Sequence, residues 1–391
     1  MQFQRKYRIH TLLLLLATVA GYFISRAPFG RSDVVTEYYR IAVDALDNGN
    51  HEEAIVYASY VIERQPDFAS AYTVRGLAYE RTYKPDQAIA NFNRAIELGV
   101  MDADTYHTRG LAHAAQGQYE QALLDYDQAT RLQPDDAQPY YGRGVVYYDQ
   151  EDYERAISEI NEAIRLDPSY AKAYYGRGLA YDAQGSYEQA LKDHARAIEL
   201  DSNYASAYYG RGVVYYHQED FEHAMIDINK AIQLHPSYSE AYYGRGLIYD
   251  AQADLANALK DYSQAIILDG SNGLAYYARA MVYYRQHEYE QALADFSRAI
   301  ELLPNFGDSY YGRGLVQSAR GNYEQAIADY SQAISLGFVY EGAYYARASA
   351  YQALGRETEA IQDFLKILDI STDVQLRKEA ERHLQVLRGS P

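Results

Sequence analysis

Apolar and small residues along the chain recur with the spacing of two alternating helices. Tyr174, Gly178 and Tyr181 are spaced i, i+4 and i+7, which places them on one face of a helix. A second helical face follows within residues 188–200, formed by Ala190, His194, Ala197 and Ile198. Small residues on both faces allow the two helix backbones to approach closely, so the pattern predicts a helical hairpin.

This hairpin pattern returns every 34 residues. The segment 173–178 recurs letter for letter at 207–212 and 241–246, and ten repeats run without an insertion from Val35 to Val374. When the tyrosine of Tyr174 is numbered position 4, position 4 is Tyr and position 20 is Ala in all ten repeats. Position 8 is Gly or Ala throughout, and position 27 is Ala in eight repeats. A fixed period of this length predicts a stacked repeat protein, because one hairpin cannot bury its apolar face alone.

These positions resemble the tetratricopeptide repeat, whose 34-residue pattern places an aromatic residue, small residues and a late proline at the same points. The resemblance covers residues 35–374. Tyr stands where the family has Trp at position 4, and nine repeats carry Arg where the family has Leu at position 7. The resemblance implies an all-α fold, a right-handed α-solenoid of ten antiparallel helix hairpins.

The last residues predict a helix that closes the array. Thr372 and Gln375 have the spacing of a capping box, and apolar residues recur at helical spacing after them. We expect a capping helix at 375–388, which covers the apolar surface of the tenth repeat, and a frayed tail at 389–391.

The N-terminus differs in kind from the repeats. A short basic segment, residues 1–8, precedes an apolar run at 9–24, and residues 25–34 form a linker with two more arginines. As a helix the run is about 24 Å long. It fits an uncleaved signal-anchor that spans a membrane, the apolar part of a cleaved signal peptide, or a buried helix. The basic N-terminus favours the cytoplasmic side, so we expect membrane-anchored repeats outside the cytoplasm, with secretion after cleavage as the alternative.

Tyrosine is far more frequent than in ordinary proteins, with 45 in the chain. Positions 5, 9 and 12 form a stripe separate from the packing face, and in tetratricopeptide arrays this stripe faces a concave groove. Tyr suits recognition because its ring is large and rigid and its hydroxyl forms hydrogen bonds. The alternative is that these rings only pack on the neighbouring repeat. The predicted groove residues are Tyr141, Tyr148, Tyr175, Tyr209, Tyr216, Tyr243, Tyr277, Tyr284, Tyr311 and Tyr345.

The arginines at position 7 have a predicted structural partner. Position 23, on the second helix, is acidic in eight repeats, and all eight carry Arg at position 7. We expect an Arg–carboxylate bridge within each hairpin; an anion-binding ladder of arginines is the alternative. The representative pairs are Arg143 with Glu159, Arg177 with Asp193, Arg211 with Asp227, and Arg245 with Asp261.

The charge of the repeats limits the partner classes. Residues 1–33 hold five of the 36 basic residues and one of the 54 acidic ones, so the remainder carries 22 more acidic than basic residues. A field of this sign repels phosphate backbones, so we expect no nucleic-acid partner. The acid forms a solvated convex face that keeps the protein soluble, or it attracts a basic segment of a protein partner.

The sequence predicts no enzyme chemistry. There is no cysteine, the ten histidines are scattered, and no metal-binding, phosphate-loop or nucleophile motif is present. We therefore expect no catalytic residue, no metal and no cofactor. The hypothesis is a non-enzymatic, membrane-anchored interaction scaffold that holds a protein or peptide segment in a Tyr-lined groove. Glycan or small-ligand binding in the cell envelope is the alternative, and self-association through the groove stays open.

Overall fold

The computed structural model describes residues 31–337, 341–387 and 389. These residues form twenty-one helices and no strand. The helices are α1 Arg31–Asp47, α2 His51–Arg64, α3 Ala69–Glu80, α4 Pro85–Glu97, α5 Ala103–Ala115, α6 Tyr119–Leu132, α7 Ala137–Asp149, α8 Tyr153–Leu166, α9 Ala171–Ala183, α10 Tyr187–Leu200, α11 Ala205–His217, α12 Phe221–Leu234, α13 Ser239–Ala251, α14 Leu255–Leu268, α15 Gly273–Arg285, α16 Tyr289–Leu302, α17 Gly307–Ala319, α18 Tyr323–Ser335, α19 Glu341–Ala353, α20 Glu357–Ile370 and α21 Val374–Leu387.

The chain forms two compact units, Met1–Ser202 and Asn203–Pro391. The first unit contains five hairpins, α1 to α10, and the second contains five hairpins, α11 to α20, followed by α21. In each unit, the two helices of a hairpin pack together and the second helix packs on the first helix of the next hairpin. Successive first helices also contact each other, more closely than successive second helices do. The predicted all-α solenoid of ten hairpins with a capping helix is confirmed.

In every hairpin, a residue with a left-handed backbone conformation lies in the turn between the two helices. Repeat position 15 has a positive φ in all ten repeats, and it is glycine in only five of them. In the seventh repeat this residue is Ala253, whose N–H donates to the carbonyl of Asp250 at 2.9 Å, while Asp254 N–H donates to the carbonyl of Tyr249 at 2.8 Å. This pair of bonds satisfies carbonyls at the end of the first helix and turns the chain back. The non-glycine residues at this position are Tyr83, Glu151, Glu219, Ala253 and His287.

Small residues on the first helix admit one large side chain from the second. In the seventh repeat a Cβ atom at Gly246 would lie 2.6 Å from the ring of Tyr262, and Ala258 beside it is fully buried. The same contact recurs in the fifth repeat, where a Cβ at Gly178 would lie 2.6 Å from the ring of His194. A position that excludes even a Cβ brings the helices close enough to fill the core without voids.

Eight of the nine position-7 arginines join two helices and two repeats; the exception is Arg211, because position 25 of the fifth repeat is Ala195. Arg245 Nε and Nη2 donate to the two oxygens of Asp261 at 2.6 and 2.8 Å, and its Nη1 donates to Asn229 of the preceding repeat at 2.7 Å. The guanidinium also lies 5.4 Å from the ring centre of Tyr242. We call this arrangement the arginine staple. All eight expected acid partners are engaged: Asp125, Glu159, Asp193, Asp227, Asp261, Asp295, Asp329 and Asp363.

The second repeat shows the arginine staple without a carboxylate. Arg75 Nε donates to Asn91 at 2.7 Å, and its Nη1 donates to Ser59 of the first repeat at 3.0 Å. Burial lowers the pKa of Arg75, whereas the hydrogen bond from Arg245 to Asp261 raises the pKa of Arg245. The carboxylate therefore offsets the desolvation of a half-buried cation.

Helix α21 closes the second unit by a cap that differs from the predicted one. The oxygen Oδ1 of Asp373 accepts from Gln375 N–H at 2.7 Å and from Leu376 N–H at 3.2 Å, so Asp373 begins the helix and the predicted role of Thr372 is wrong. The reason is that an aspartate directly before the helix reaches two free N–H groups. One face of α21 buries Ala380 and Leu384 against the tenth repeat.

The expected segment boundaries are described in part. Residues 31–34, assigned to the linker 25–34, lie within α1, and the capping helix runs one residue earlier than 375–388. The segments 1–8 and 9–24 lie outside the described residues, as does the tail apart from Gly389. Among the described helices, none combines the length and apolar character that a membrane crossing requires.

We predict that Asp261→Ala lowers the free energy of local unfolding of α13 and α14 by about 2–4 kcal/mol, because it leaves a half-buried guanidinium unpaired. Asp261→Asn should cost less, since Asn91 already serves this position in the second repeat. Hydrogen exchange of the α13 and α14 amides measures both effects. The matched control is Glu301→Gln, which removes an exposed pair with Arg298 and should cost far less than Asp261→Ala. Equal effects of Asp261→Ala and Glu301→Gln would contradict a stapling role.

Candidate functional site

The ten predicted groove tyrosines lie on the first helices, and all ten are partly exposed. Within each unit they follow one another along the first helices, which approach each other more closely than the second helices do. Position 5 contributes Tyr141, Tyr175, Tyr209, Tyr243, Tyr277, Tyr311 and Tyr345; position 12 contributes Tyr148, Tyr216 and Tyr284. We call this set the tyrosine face.

Most position-5 rings rest on an aromatic ring at position 24 of the same repeat. Tyr243 lies 5.9 Å from Tyr262 between ring centres, and Tyr277 lies 5.9 Å from Phe296. The remaining pairs of this kind are Tyr175 with His194, Tyr311 with Tyr330, and Tyr345 with Phe364. One side of each ring therefore packs within the protein, as the alternative predicted, and the part that stays exposed is held in a fixed position.

Two position-5 rings are held differently. In the fourth and sixth repeats position 24 is isoleucine, and Tyr141 and Tyr209 instead contact Tyr170 and Tyr238 at 5.2 Å between ring centres. These two rings also cover a glycine of the following repeat within the same unit. A Cβ at Gly176 would lie 2.9 Å from Tyr141, and one at Gly244 would lie 3.1 Å from Tyr209. The structure thus has two ways of seating the same tyrosine, and the choice follows position 24.

Burial keeps the phenols of the tyrosine face neutral. It raises the pKa of Tyr141 and of Tyr277 to about 12 in each case, and it also raises the pKa of Tyr209 and Tyr243. A neutral phenol can donate as well as accept a hydrogen bond. The exposed edges of these rings therefore offer apolar area together with a hydroxyl.

Carboxylates lie beside the tyrosine face in the second unit. Glu240 adds to burial in raising the pKa of Tyr209, and Asp308 does the same for Tyr277. Burial in turn raises the pKa of Asp308 itself. These two acids stand at position 2 of the repeats that follow Tyr209 and Tyr277, and the sequence analysis did not single them out. An acid at position 2 lies one turn before the position-5 tyrosine of its own repeat, and this spacing was the available signal.

Position 12 carries a charge pair between repeats. Asp250 of α13 forms an ion pair with Arg285, the last residue of α15, so the acid between Tyr216 and Tyr284 is bound to a residue of the following repeat. In the first unit Asp182 adds to burial in raising the pKa of Tyr148. Tyrosines and carboxylates therefore alternate at position 12 from Tyr148 to Tyr284.

The described residues contain no group of three or more His, Asp or Glu side chains that could hold a metal ion. The position-7 arginines, which were the alternative anion site, donate to carboxylates and to neighbouring repeats through the arginine staple. The tyrosine face is therefore the best candidate site in the described part of the chain.

Models of one repeat family match most of the chain. A model described as a TPR repeat matches residues 110–151, 146–185 and 181–219. Models described as tetratricopeptide repeats match the remaining stretches: 205–238, 273–306 and 307–336; 39–103 and 227–273; and 341–373. The chain belongs to the tetratricopeptide repeat family.

Solved structures share this fold at low sequence identity. A tetratricopeptide repeat protein from Parabacteroides merdae ATCC 43184 is 20% identical, with a TM-score of 0.55 over 63% of this chain and 98% of that chain. YrrB, described as a TPR protein with an unusual peptide-binding site, is 24% identical, with a TM-score of 0.37 over 47% and 95%. MamA from Desulfovibrio magneticus RS-1 is 24% identical, with a TM-score of 0.39 over 44% and 96%. A comparison with curated protein sequences gave no match.

We predict that the protein loses stability at alkaline pH and that ionisation of Tyr277 contributes to this loss. Its pKa is 10.0 without the fold and about 12 within it, so the neutral phenol stabilises the fold below pH 10 and this contribution is lost as the pH rises toward 12. The free energy of unfolding in urea, followed by circular dichroism, should fall across this window. It should fall less steeply in Tyr277→Phe, which has no group to ionise. An unchanged slope in that variant would show that Tyr277 titrates as an exposed phenol.

Proposed function

We propose that this tetratricopeptide repeat protein is a non-enzymatic interaction scaffold that binds an extended or helical protein segment along the tyrosine face. The observation that carries this proposal is the row of part-exposed tyrosines, each seated on a fixed neighbour. A preformed row of rigid rings loses little conformational entropy on binding. Each unit presents its own part of the row.

Helix packing supports a concave tyrosine face. Within each unit the first helices approach each other more closely than the second helices do. A stack that is tighter on one side curves toward that side, so the first helices lie on the inner surface of each unit. Concave surfaces of stacked repeats suit extended partners, because successive repeats each add a contact.

Charge supports a basic partner segment. The repeats carry a large excess of acid, and Glu240, Asp250 and Asp308 place part of it beside the tyrosine face. Arg and Lys also favour the faces of aromatic rings. The partner class is therefore a protein or peptide segment that carries basic side chains among apolar ones.

The apolar run 9–24 supports membrane attachment of the scaffold. Its length and basic flank fit a signal-anchor that holds the repeats outside the cytoplasm. Attachment would confine the tyrosine face to a membrane surface and so limit which partners it meets.

We predict that a chain lacking residues 1–30 is recovered in the soluble fraction after cell lysis, whereas the full chain sediments with membranes and needs detergent for release. The N-terminal residue of the full chain, determined by mass spectrometry, separates an anchor from a cleaved signal. A full chain found soluble with its N-terminus intact would contradict both.

We predict that a photoreactive phenylalanine at Tyr243 or Tyr277 captures the same partner protein in cells. This substitution keeps an aromatic ring at a seated position. The matched controls carry the same residue at Lys260 or Ala294, two exposed positions on the second helices. Capture from the controls and not from the tyrosine face would place binding on the outer surface. Capture from neither set, with the variants folded, would favour the glycan or small-ligand alternative.

A further inference from the structure

The seventh and eighth repeats are joined by an ion pair whose cation another cation can replace. Asp250 pairs with Arg285, and their side chains are 22% and 40% exposed. Arg285 Nε also donates to the carbonyl of Met281 at 3.4 Å, which is a long bond. Because water reaches both side chains, the pair contributes little stability, and another cation can replace Arg285.

Tyrosine rings surround this carboxylate. Asp250 adds to burial in raising the pKa of both Tyr216 and Tyr262, so its charge reaches two rings on different helices. Tyr243 lies 5.9 Å from Tyr262 between ring centres. A carboxylate among aromatic faces suits a cationic side chain, because the ring faces also attract positive charge.

A buried hydroxyl beside Asp250 finds no acceptor among the described residues. The ring of Tyr262 is 0% exposed, and its hydroxyl makes no hydrogen bond there. In the ninth repeat burial raises the pKa of Tyr330, the counterpart of Tyr262, and Ser318, which stands at the same repeat position as Asp250, opposes that rise with a smaller effect. Position 12 therefore lies near the position-24 phenol, and Asp250 is the acceptor available to Tyr262 once Arg285 releases the carboxylate.

We infer that Asp250 is a subsite for a lysine or arginine side chain of the bound segment, and that Arg285 is a resident cation which the partner's side chain displaces. Released from Arg285, the carboxylate accepts from the partner cation on the exposed side and from the Tyr262 hydroxyl on the buried side. Tyr216 and Tyr243 then lie beside the incoming cation. This inference rests on the proposed function and names the residue type at one point of the segment.

The neighbouring charges favour a cation over an anion at this point. The repeats carry an excess of acid, and Asp250 lies in contact with Arg285. An acidic side chain that approached Arg285 would meet Asp250, and like charges repel.

The test uses the purified full chain in detergent and short random peptides displayed on phage. Peptides selected by the unmodified protein should contain lysine or arginine, and replacing that residue by norleucine should weaken binding about tenfold or more, measured by calorimetry. In Asp250→Asn this difference between the two peptides should vanish. Arg285→Gln should tighten binding of the basic peptide by up to about fivefold, because the competing cation is gone.

Two further variants separate the subsite from general effects. Tyr262→Phe keeps the ring, as Phe296 shows at the same repeat position. It should weaken binding of the basic peptide by about threefold, because the hydroxyl is lost. Glu301→Gln makes the same charge change as Asp250→Asn on an exposed second helix and should leave binding unchanged.

The outcomes distinguish this inference from the function on which it rests. If peptides bind but Asp250→Asn keeps the preference for the basic residue, the inference is wrong and the scaffold function stands. Weaker binding of the selected peptides to Arg285→Gln would assign the subsite to an anion and overturn the inference in the same way. If no peptide is enriched, the proposed function and the inference both fail.

Discussion

The arginine staple is the interaction on which the rest of the structure depends. Position 7 lies on the edge of the packing face that points away from the tyrosine face, so a group there fixes the rotation of the first helix about its axis. Two donors of Arg245 bind the second helix of its own repeat, and the third binds the preceding repeat. A displacement of the first helix along or around its axis would break all three bonds. The position of each tyrosine is thus set by a polar contact that the tyrosine does not make.

Packing beneath the tyrosines complements the arginine staple. Gly246 admits the ring of Tyr262, and that ring supports Tyr243. Where Ile228 replaces the aromatic ring, Tyr209 contacts Tyr238 of its own repeat and lies over Gly244 of the next repeat. One core side chain therefore changes the set of neighbours that hold a surface tyrosine in place. Core and recognition face cannot vary independently in such a chain.

Much of the fold could be predicted from the sequence, because its rules recur in most of the ten repeats. The joint occurrence of Arg at position 7 and acid at position 23 indicated the carboxylate bridge of the arginine staple. Three features could not be predicted. The third donor of eight arginines binds position 25, which is Ser, Asn or Asp in those cases and Ala195 before Arg211, so no single residue type marks it. The pairing of Asp250 with Arg285 occurs once in the second unit, and a single occurrence gives no periodic signal. Thr372 matched a capping motif, but Asp373 stood closer to the free N–H groups. That the tyrosine face binds a partner stays a prediction, because tyrosine suits both packing within the protein and recognition of a partner.

The arginine staple also gives the array a direction and an end. Arg245 takes its third acceptor from Asn229, so the bond points from a repeat back to the one before it. Two repeats supply no side-chain acceptor at this point, because position 25 is Ala195 in the fifth repeat and Leu365 in the tenth. The fifth repeat is the last of the first unit, and the tenth is the last hairpin of the second unit. The series of staples therefore stops where each unit ends.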